Sequence, residues 1–351
     1  MTEAPLLEVR DLHVTFSGRV GLGSALMGRR GEQARAVDGV DLQVAPSEVV
    51  ALAGESGCGK TTLARTVLGL ERPRSGAILF EGRPIGSDGG LRAYRRHVQM
   101  VFQDPAGALN PRQTVYESVA EGLRVHGIHE DEQGRVARAL ASAGLRPPER
   151  FFLLYPHELS GGQRQRVVIA GALILEPRLV VADEPVSMLD ASVKGEILSL
   201  LLRLRDEFRL ALLVVTHDLG LAWSVADRVA VMYLGKIVEV GPAEDVLTRP
   251  LHPYTRALLE VVPERGGDLT GRKVLGGEPP DPTRIPSGCR FHPRCPEVAS
   301  GRAADLGQED RCRGEIPPLR EIRPGHFAAC HVAEWLTGGP GGSTRSSSAP
   351  G

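Results

Sequence analysis

The chain has 351 residues, 42% of them hydrophobic and 24% charged, with a formal net charge of −1 and a pI near 6.8. That length suits two or three domains, and the near-neutral balance excludes a protein held on nucleic acid by a broad basic field. No run approaches the roughly 18 apolar residues of a spanning helix and no signal pattern opens the chain, so a soluble, cytoplasmic protein is expected. Five cysteines argue against a disulfide framework in such a compartment.

In chain order, Leu12, Val14 and Phe16 share one parity and predict a first strand that ends near Ser17. Residues 18–35, rich in Gly, Arg and Ser, are expected to form an exposed loop before strand character resumes at Val37. The apolar run Val49-Val50-Ala51-Leu52-Ala53 reads as a short buried strand. It leads into Gly54-Glu55-Ser56-Gly57-Cys58-Gly59-Lys60-Thr61, which fits the phosphate-loop pattern G-x-x-x-x-G-K-[ST] at every defined position. A helix is expected over 61–68. In this order of elements, backbone N–H groups and a helix N-terminus face an anion, Lys60 neutralises phosphate, and Thr61 supplies an oxygen to magnesium.

Further strands are predicted over 75–80 and 97–102, and the period turns helical from Gln113 to about Leu175, with Val115, Val119 and Leu123 on one face and another helix through 135–143. Residues 179–182 and 210–215 are near-continuous apolar runs, as expected of parallel strands covered on both faces. Residues 229–232 and 237–240 predict a closing hairpin. The terminal 14 residues, almost all Gly, Pro, Ser and Thr, predict a disordered tail.

Leu159-Ser160-Gly161-Gly162-Gln163, 100 residues after Lys60, offers a serine and two glycines at a predicted helix start. It resembles the signature of ATP-binding cassette (ABC) ATPases. The strand that ends Ala182-Asp183-Glu184-Pro185 is similar to the second nucleotide motif of that family. The resemblance implies Asp183 at the magnesium ion and Glu184 as the catalytic carboxylate. It further implies Gln103 as the Q-loop residue near the metal, Asp190 in the D-loop and His217 as the switch histidine, with Glu184, His217 and Gln103 as the catalytic set. The nucleotide contacts it implies are Phe16 under adenine, Gly54, Glu55, Ser56, Gly57, Cys58, Gly59, Lys60, Thr61 and Thr62 around the phosphates, and Ser160, Gly161, Gly162 and Gln163 reaching a partner's γ-phosphate.

The segments Leu109-Asn110-Pro111-Arg112, Tyr155-Pro156-His157-Glu158 and His252-Pro253-Tyr254-Thr255 narrow the resemblance to the ATPase subunits of bacterial oligopeptide and dipeptide importers, over roughly residues 5–333. It implies an α/β fold: a P-loop ABC ATPase domain over 1–260, with a parallel-sheet core, an N-terminal antiparallel β part and a helical subdomain near 104–175. A small C-terminal cysteine-containing domain over 261–336 and a tail over 337–351 follow. The implied function is ATP hydrolysis driving peptide uptake, with ATP and Mg2+ as cofactors, at the cytoplasmic face of the membrane. The implied partners are a homologous ATPase subunit, two integral membrane permeases and an extracytoplasmic peptide-binding protein, and no nucleic acid. A non-transport cassette ATPase acting on nucleic acid or the ribosome, and an importer of nickel or another small solute, are the alternatives.

Three departures from the family pattern stand out: Ser47 where glycine is usual, Met188 for alanine in the D-loop, and Gly171 for arginine after the signature. Cys289, Cys295, Cys312 and Cys330, separated by five, sixteen and seventeen residues, lack the paired C-x-x-C of a zinc ribbon. In the resembled importers the corresponding cysteines can hold a [4Fe-4S] cluster. Zinc or four unliganded thiols remain the other readings.

Overall fold

The computed structural model describes residues 4–17, 33–87, 89–261 and 281–336. Two sheets organise them. The first is antiparallel, in the order β2-β1-β4-β5, from Leu7–Ser17 (β1), Gln33–Val44 (β2), Ser75–Phe80 (β4) and Arg83–Pro84 (β5). The second has the order β11-β12-β10-β9-β3-β8-β7-β6, with Lys236–Pro242 as β10, Arg320–Arg323 as β11 and His326–Ala328 as β12. Its parallel part comprises Val98–Val101 (β6), Leu179–Asp183 (β7), Ala211–Thr216 (β8), Val49–Ala53 (β3) and Arg228–Tyr233 (β9).

β3, β7 and β8 are buried at every position, which is why their sequences run apolar without alternation. One core lies between the sheets. There Leu7, Leu12, Val37 and Val40 meet Val50, Leu52, Leu213 and Val215, and Leu63 and Val67 of the helix Lys60–Val67 complete it. Each such side chain contributes about 1.5–3 kcal/mol by leaving water, so the helix that follows the phosphate loop is fixed from beneath. On the opposite face the helices Val115–Val125, Glu132–Ser142 and Gly161–Leu173 share a core with Val180, Ala182, Leu212 and Val214. Thr114 and Glu117 make a capping box at the first of these helices and Ser160 and Gln163 another at the third.

Several expectations needed correction. β2 begins at Gln33, earlier than Val37, because Ala34 and Gln33 pair with Phe16 and Ser17; residues 18–32 lie outside the described residues, as does the expected tail. His97 ends a helix over Gly90–His97 that the sequence reading did not contain, and β6 starts only at Val98. That helix is short and Arg-rich, and only Tyr94 is buried along it, so few apolar residues mark it in the sequence.

The hairpin of β9 and Lys236–Pro242 (β10) forms, yet it does not close the sheet. His326–Ala328 (β12) pairs with β10, and Arg320–Arg323 (β11) lies beyond it. Those two strands are too short to show an alternating pattern.

Candidate active site at the strand ends

The phosphate loop turns from β3 into its helix along a path that only glycine permits at two points. At Gly54 (φ +149°) a Cβ would lie 2.3 Å from the Met232 carbonyl oxygen, and at Gly59 (φ +110°) 2.0 Å from that of Ala36. Lys60 is buried, and its Nζ donates to the carbonyl oxygens of Gly54 and Glu55, each at 2.8 Å. The ammonium is thereby held over the loop. Thr61 Oγ1 lies 3.4 Å from Asp183 Oδ1, so the loop helix and the end of β7 offer two hard oxygens side by side. Burial raises the Asp183 carboxyl above its usual range, against the hydrogen bond from Thr61, and a divalent cation there would relieve that penalty.

Next to Asp183, Glu184 stands between two side chains. Gln103 Nε2 donates to Glu184 Oε2 at 2.9 Å, and His217 Nδ1 is 2.8 Å from Glu184 Oε1. The three residues follow the carboxyl ends of the neighbouring strands β6, β7 and β8, where doubly wound sheets gather ligands. Glu184 has φ +47°, a left-handed backbone that costs a residue with a side chain about 1–3 kcal/mol. Its N–H bonds the Val215 carbonyl and its carbonyl accepts from Ser187 Oγ, which fix that conformation.

Expected residues that do not join this group are equally informative. Gln103 bonds Glu184 and not the Thr61–Asp183 pair. Among the described residues, no hydrogen bond links Ser160, Gly161, Gly162 or Gln163 to the phosphate loop; Ser160 and Gly161 are exposed. Gly162 packs under Val193, 2.8 Å from where its Cβ would be, which ties the signature to the helix Ala191–Phe208 after the D-loop. Asp190 is exposed at the start of that helix, and Met188 is 65% exposed. Phe16 is 42% exposed, while Leu12 and Val14 of the same parity are buried. It is therefore not a core residue, and its ring is open to a stacking partner.

The four C-terminal cysteines line one small cavity with His252, Phe291 and Val298. Burial pushes Cys289 up to about 12 and Cys295 up to about 11, and raises Cys312 and Cys330 as well, so these thiols are neutral. A bound metal would itself displace those protons, so ligation turns on whether the sulfurs converge on one point. Among the described residues no group of three or more His, Cys, Asp or Glu is arranged to hold a metal ion. The iron–sulfur expectation is therefore not carried by this geometry.

Sequence reasoning missed the residues that grip the loop from behind. Arg294, next to Cys295, pairs with both carboxylate oxygens of Glu55, at 2.9 and 3.1 Å. Tyr254 Oη accepts from the Glu55 N–H at 2.9 Å. Nothing in local period or motif spacing joins positions 199 and 239 residues apart.

A phosphate loop, a buried Asp beside a Thr hydroxyl, and a bridged Glu at adjoining strand ends define a nucleoside triphosphatase. The ABC transporter family profile matches residues 37–187, and the profile for the oligopeptide/dipeptide transporter C-terminal region matches residues 238–301. The chain is similar to the oligopeptide transport ATP-binding protein AppF of Bacillus subtilis, at 42% identity over 93% of this chain and 97% of that one. Among solved structures, it resembles cbiO1 from Clostridium perfringens, part of the ABC transporter complex cbiONQ, with a TM-score of 0.60 and 31% identity over 70% of this chain and 92% of that one. It also resembles the ATP-binding cassette MJ0796, seen as a post-hydrolysis dimer bound to ADP and Pi, with a TM-score of 0.57 and 28% identity over 68% of this chain and 98% of that one. The chain belongs to the ABC transporter ATPases, in the branch that carries the oligopeptide/dipeptide transporter C-terminal region.

Proposed function

We propose that this chain hydrolyses ATP as the energising subunit of a bacterial importer of oligopeptides or dipeptides. The observation that carries the hydrolytic part is Glu184, bridged by Gln103 and His217 next to the Thr61–Asp183 oxygens. Thr61 and Asp183 hold the hydrated magnesium ion, Lys60 and the loop amides take the phosphates, and Phe16 stacks on adenine. Glu184 orients or deprotonates the attacking water. His217 and Gln103 report the γ-phosphate to the rest of the chain without adding a second full negative charge.

The exposed Ser160-Gly161 pair, unattached to its own loop, suits closure over the nucleotide of a second, homologous ATPase subunit. The dimeric cassette noted above supports that reading. Peptide as the cargo is supported by the C-terminal profile and the related oligopeptide transport protein. Among the described residues no helix is long and apolar enough to cross a membrane, so two permeases form the path and this subunit docks at their cytoplasmic face. An extracytoplasmic binding protein delivers the peptide, and no nucleic acid takes part. In this reading residues 1–260 are the ATPase domain, with the helical part near 104–175, and residues 261–336 the C-terminal domain. Iron–sulfur ligation stays outside the proposal, because among the described residues the cysteines that line one cavity are not arranged as a metal-holding group.

Reconstitution in vesicles with peptide-importer permeases and their binding protein tests the assignment. ATP-dependent peptide uptake that stops with Glu184→Gln is the expected result; ATP turnover indifferent to peptide, binding protein and permeases would overturn it.

A further inference from the structure

Glu55 puts a carboxylate on the loop that must receive a polyphosphate, which by charge alone opposes binding. The surroundings of that carboxylate come from the C-terminal part of the chain. Arg294 meets it with two parallel N–H···O contacts, the geometry that makes arginine a stronger carboxylate partner than a point charge. The guanidinium is largely buried and sits 6.0 Å from the centroid of the Tyr233 ring, with Tyr233 Oη 3.4 Å from Nη1. Tyr233, Tyr254 and Phe291 pack on one another with centroids 4.6–5.3 Å apart, so the support beneath Arg294 is rigid. Arg290, four positions earlier and next to Cys289, makes the matching contact on the other side, with Asp38 of β2 and the Leu234 carbonyl.

We infer that Arg294 is a positioning residue for ATP binding: it neutralises Glu55 and holds that carboxylate away from the phosphates. This inference rests on the reading of Gly54 to Thr61 as the phosphate site. Its consequence is a charge effect with a definite sign. Without Arg294, Glu55 repels the nucleotide; without both charges, the repulsion disappears.

Equilibrium binding of a fluorescent ATP analogue to the full-length chain, with steady-state ATPase kinetics, tests it. Arg294→Gln is expected to raise the Kd and KM for ATP about tenfold while changing kcat much less, and Arg294→Lys to stay within about threefold of wild type. Glu55→Gln/Arg294→Gln is expected to recover most of the lost affinity, which a purely structural role for the pair does not allow. An unchanged Kd in Arg294→Gln, or a double variant no tighter than that single one, overturns the inference. Arg294→Met supplies a second arm that keeps the apolar stem of the side chain: it is expected to weaken ATP binding as Arg294→Gln does, and wild-type affinity in it overturns the inference. Lys60→Ala is the control for the underlying reading; retained ATP binding in that variant sinks the phosphate-site assignment itself, independently of Arg294.

Discussion

Glu184 and His217, 33 positions apart, meet at 2.8 Å because β7 and β8 are parallel neighbours that end side by side. The imidazole and the Gln103 amide occupy one oxygen each of the carboxylate, so its orientation is set before any water arrives. Glu184→Gln keeps that shape and removes the base. ATP hydrolysis should fall by about 10²-fold or more, the usual range for a lost general base, while ATP binding stays within about threefold. Wild-type turnover in this variant would remove Glu184 from its role.

Asp183 should report on the metal. Asp183→Asn leaves a neutral oxygen beside Thr61 and is expected to raise the Mg2+ concentration for half-maximal ATPase activity at least tenfold, measured by magnesium titration at fixed ATP. Because burial raises the Asp183 carboxyl, a proton competes with the cation at higher pH than on an ordinary aspartate. The wild-type magnesium requirement should therefore increase as pH falls, and a requirement independent of pH would contradict the pairing.

Two of the departures from the family pattern predict easy gains in stability. Ser47 sits at φ +59° in the turn between β2 and β3, a left-handed conformation that disfavours any Cβ. Ser47→Gly should stabilise by about 1 kcal/mol. Gly171 lies inside the helix Gly161–Leu173, and nothing lies within 4 Å of an added Cβ; Gly171→Ala should add about another 1 kcal/mol. Urea midpoints of the two single variants and the double decide the matter, and a lower midpoint in either single variant refutes its explanation.

His252 predicts an acid limb. Burial lowers it from 6.5 to about 4, so between those values the unfolded chain binds a proton that the folded chain does not. The stability is complete above about pH 6.5 and is lost as pH falls toward 4, by up to about 3 kcal/mol. His252 Nδ1 accepts from the Tyr254 N–H at 3.0 Å, and asparagine can keep that acceptor. His252→Asn should flatten the pH dependence of the urea midpoint over this window; an unaltered slope would assign the limb to other groups.

The parts of the molecule legible in the sequence are those in which chemistry and period coincide. β3 emerged with its observed ends because five apolar residues precede a glycine turn; Lys60 stood out because it closes a phosphate-loop pattern, and Asp183, Glu184, Gln103 and His217 were named from the resemblance to ABC ATPases. Arg294, Tyr254 and Tyr233 were illegible for the opposite reason. Arg294 and Tyr254 reach Glu55 across 239 and 199 positions and Tyr233 touches Arg294, and an arginine or tyrosine carries no period that tells a loop clamp from a solvated side chain. The cysteines mark a middle case. Spacing left a cluster, zinc and four free thiols open, because mutual distances and thiol burial are three-dimensional quantities that spacing does not encode.

The pairing of β12 with β10 places backbone from the end of the chain in the same hydrogen-bonded ladder as the phosphate-loop strand. Glu239, fully enclosed, accepts from the N–H groups of Leu251 and His252 and lies 2.8 Å from His326 Nε2, so its solvation is supplied jointly by both parts. A truncation ahead of residue 320 would bare an edge strand and leave Glu239 without its histidine, held by the two backbone N–H groups alone. The end of this chain is thus no detachable cartridge, and any exchange of that segment between relatives must carry Glu239 and its histidine across together.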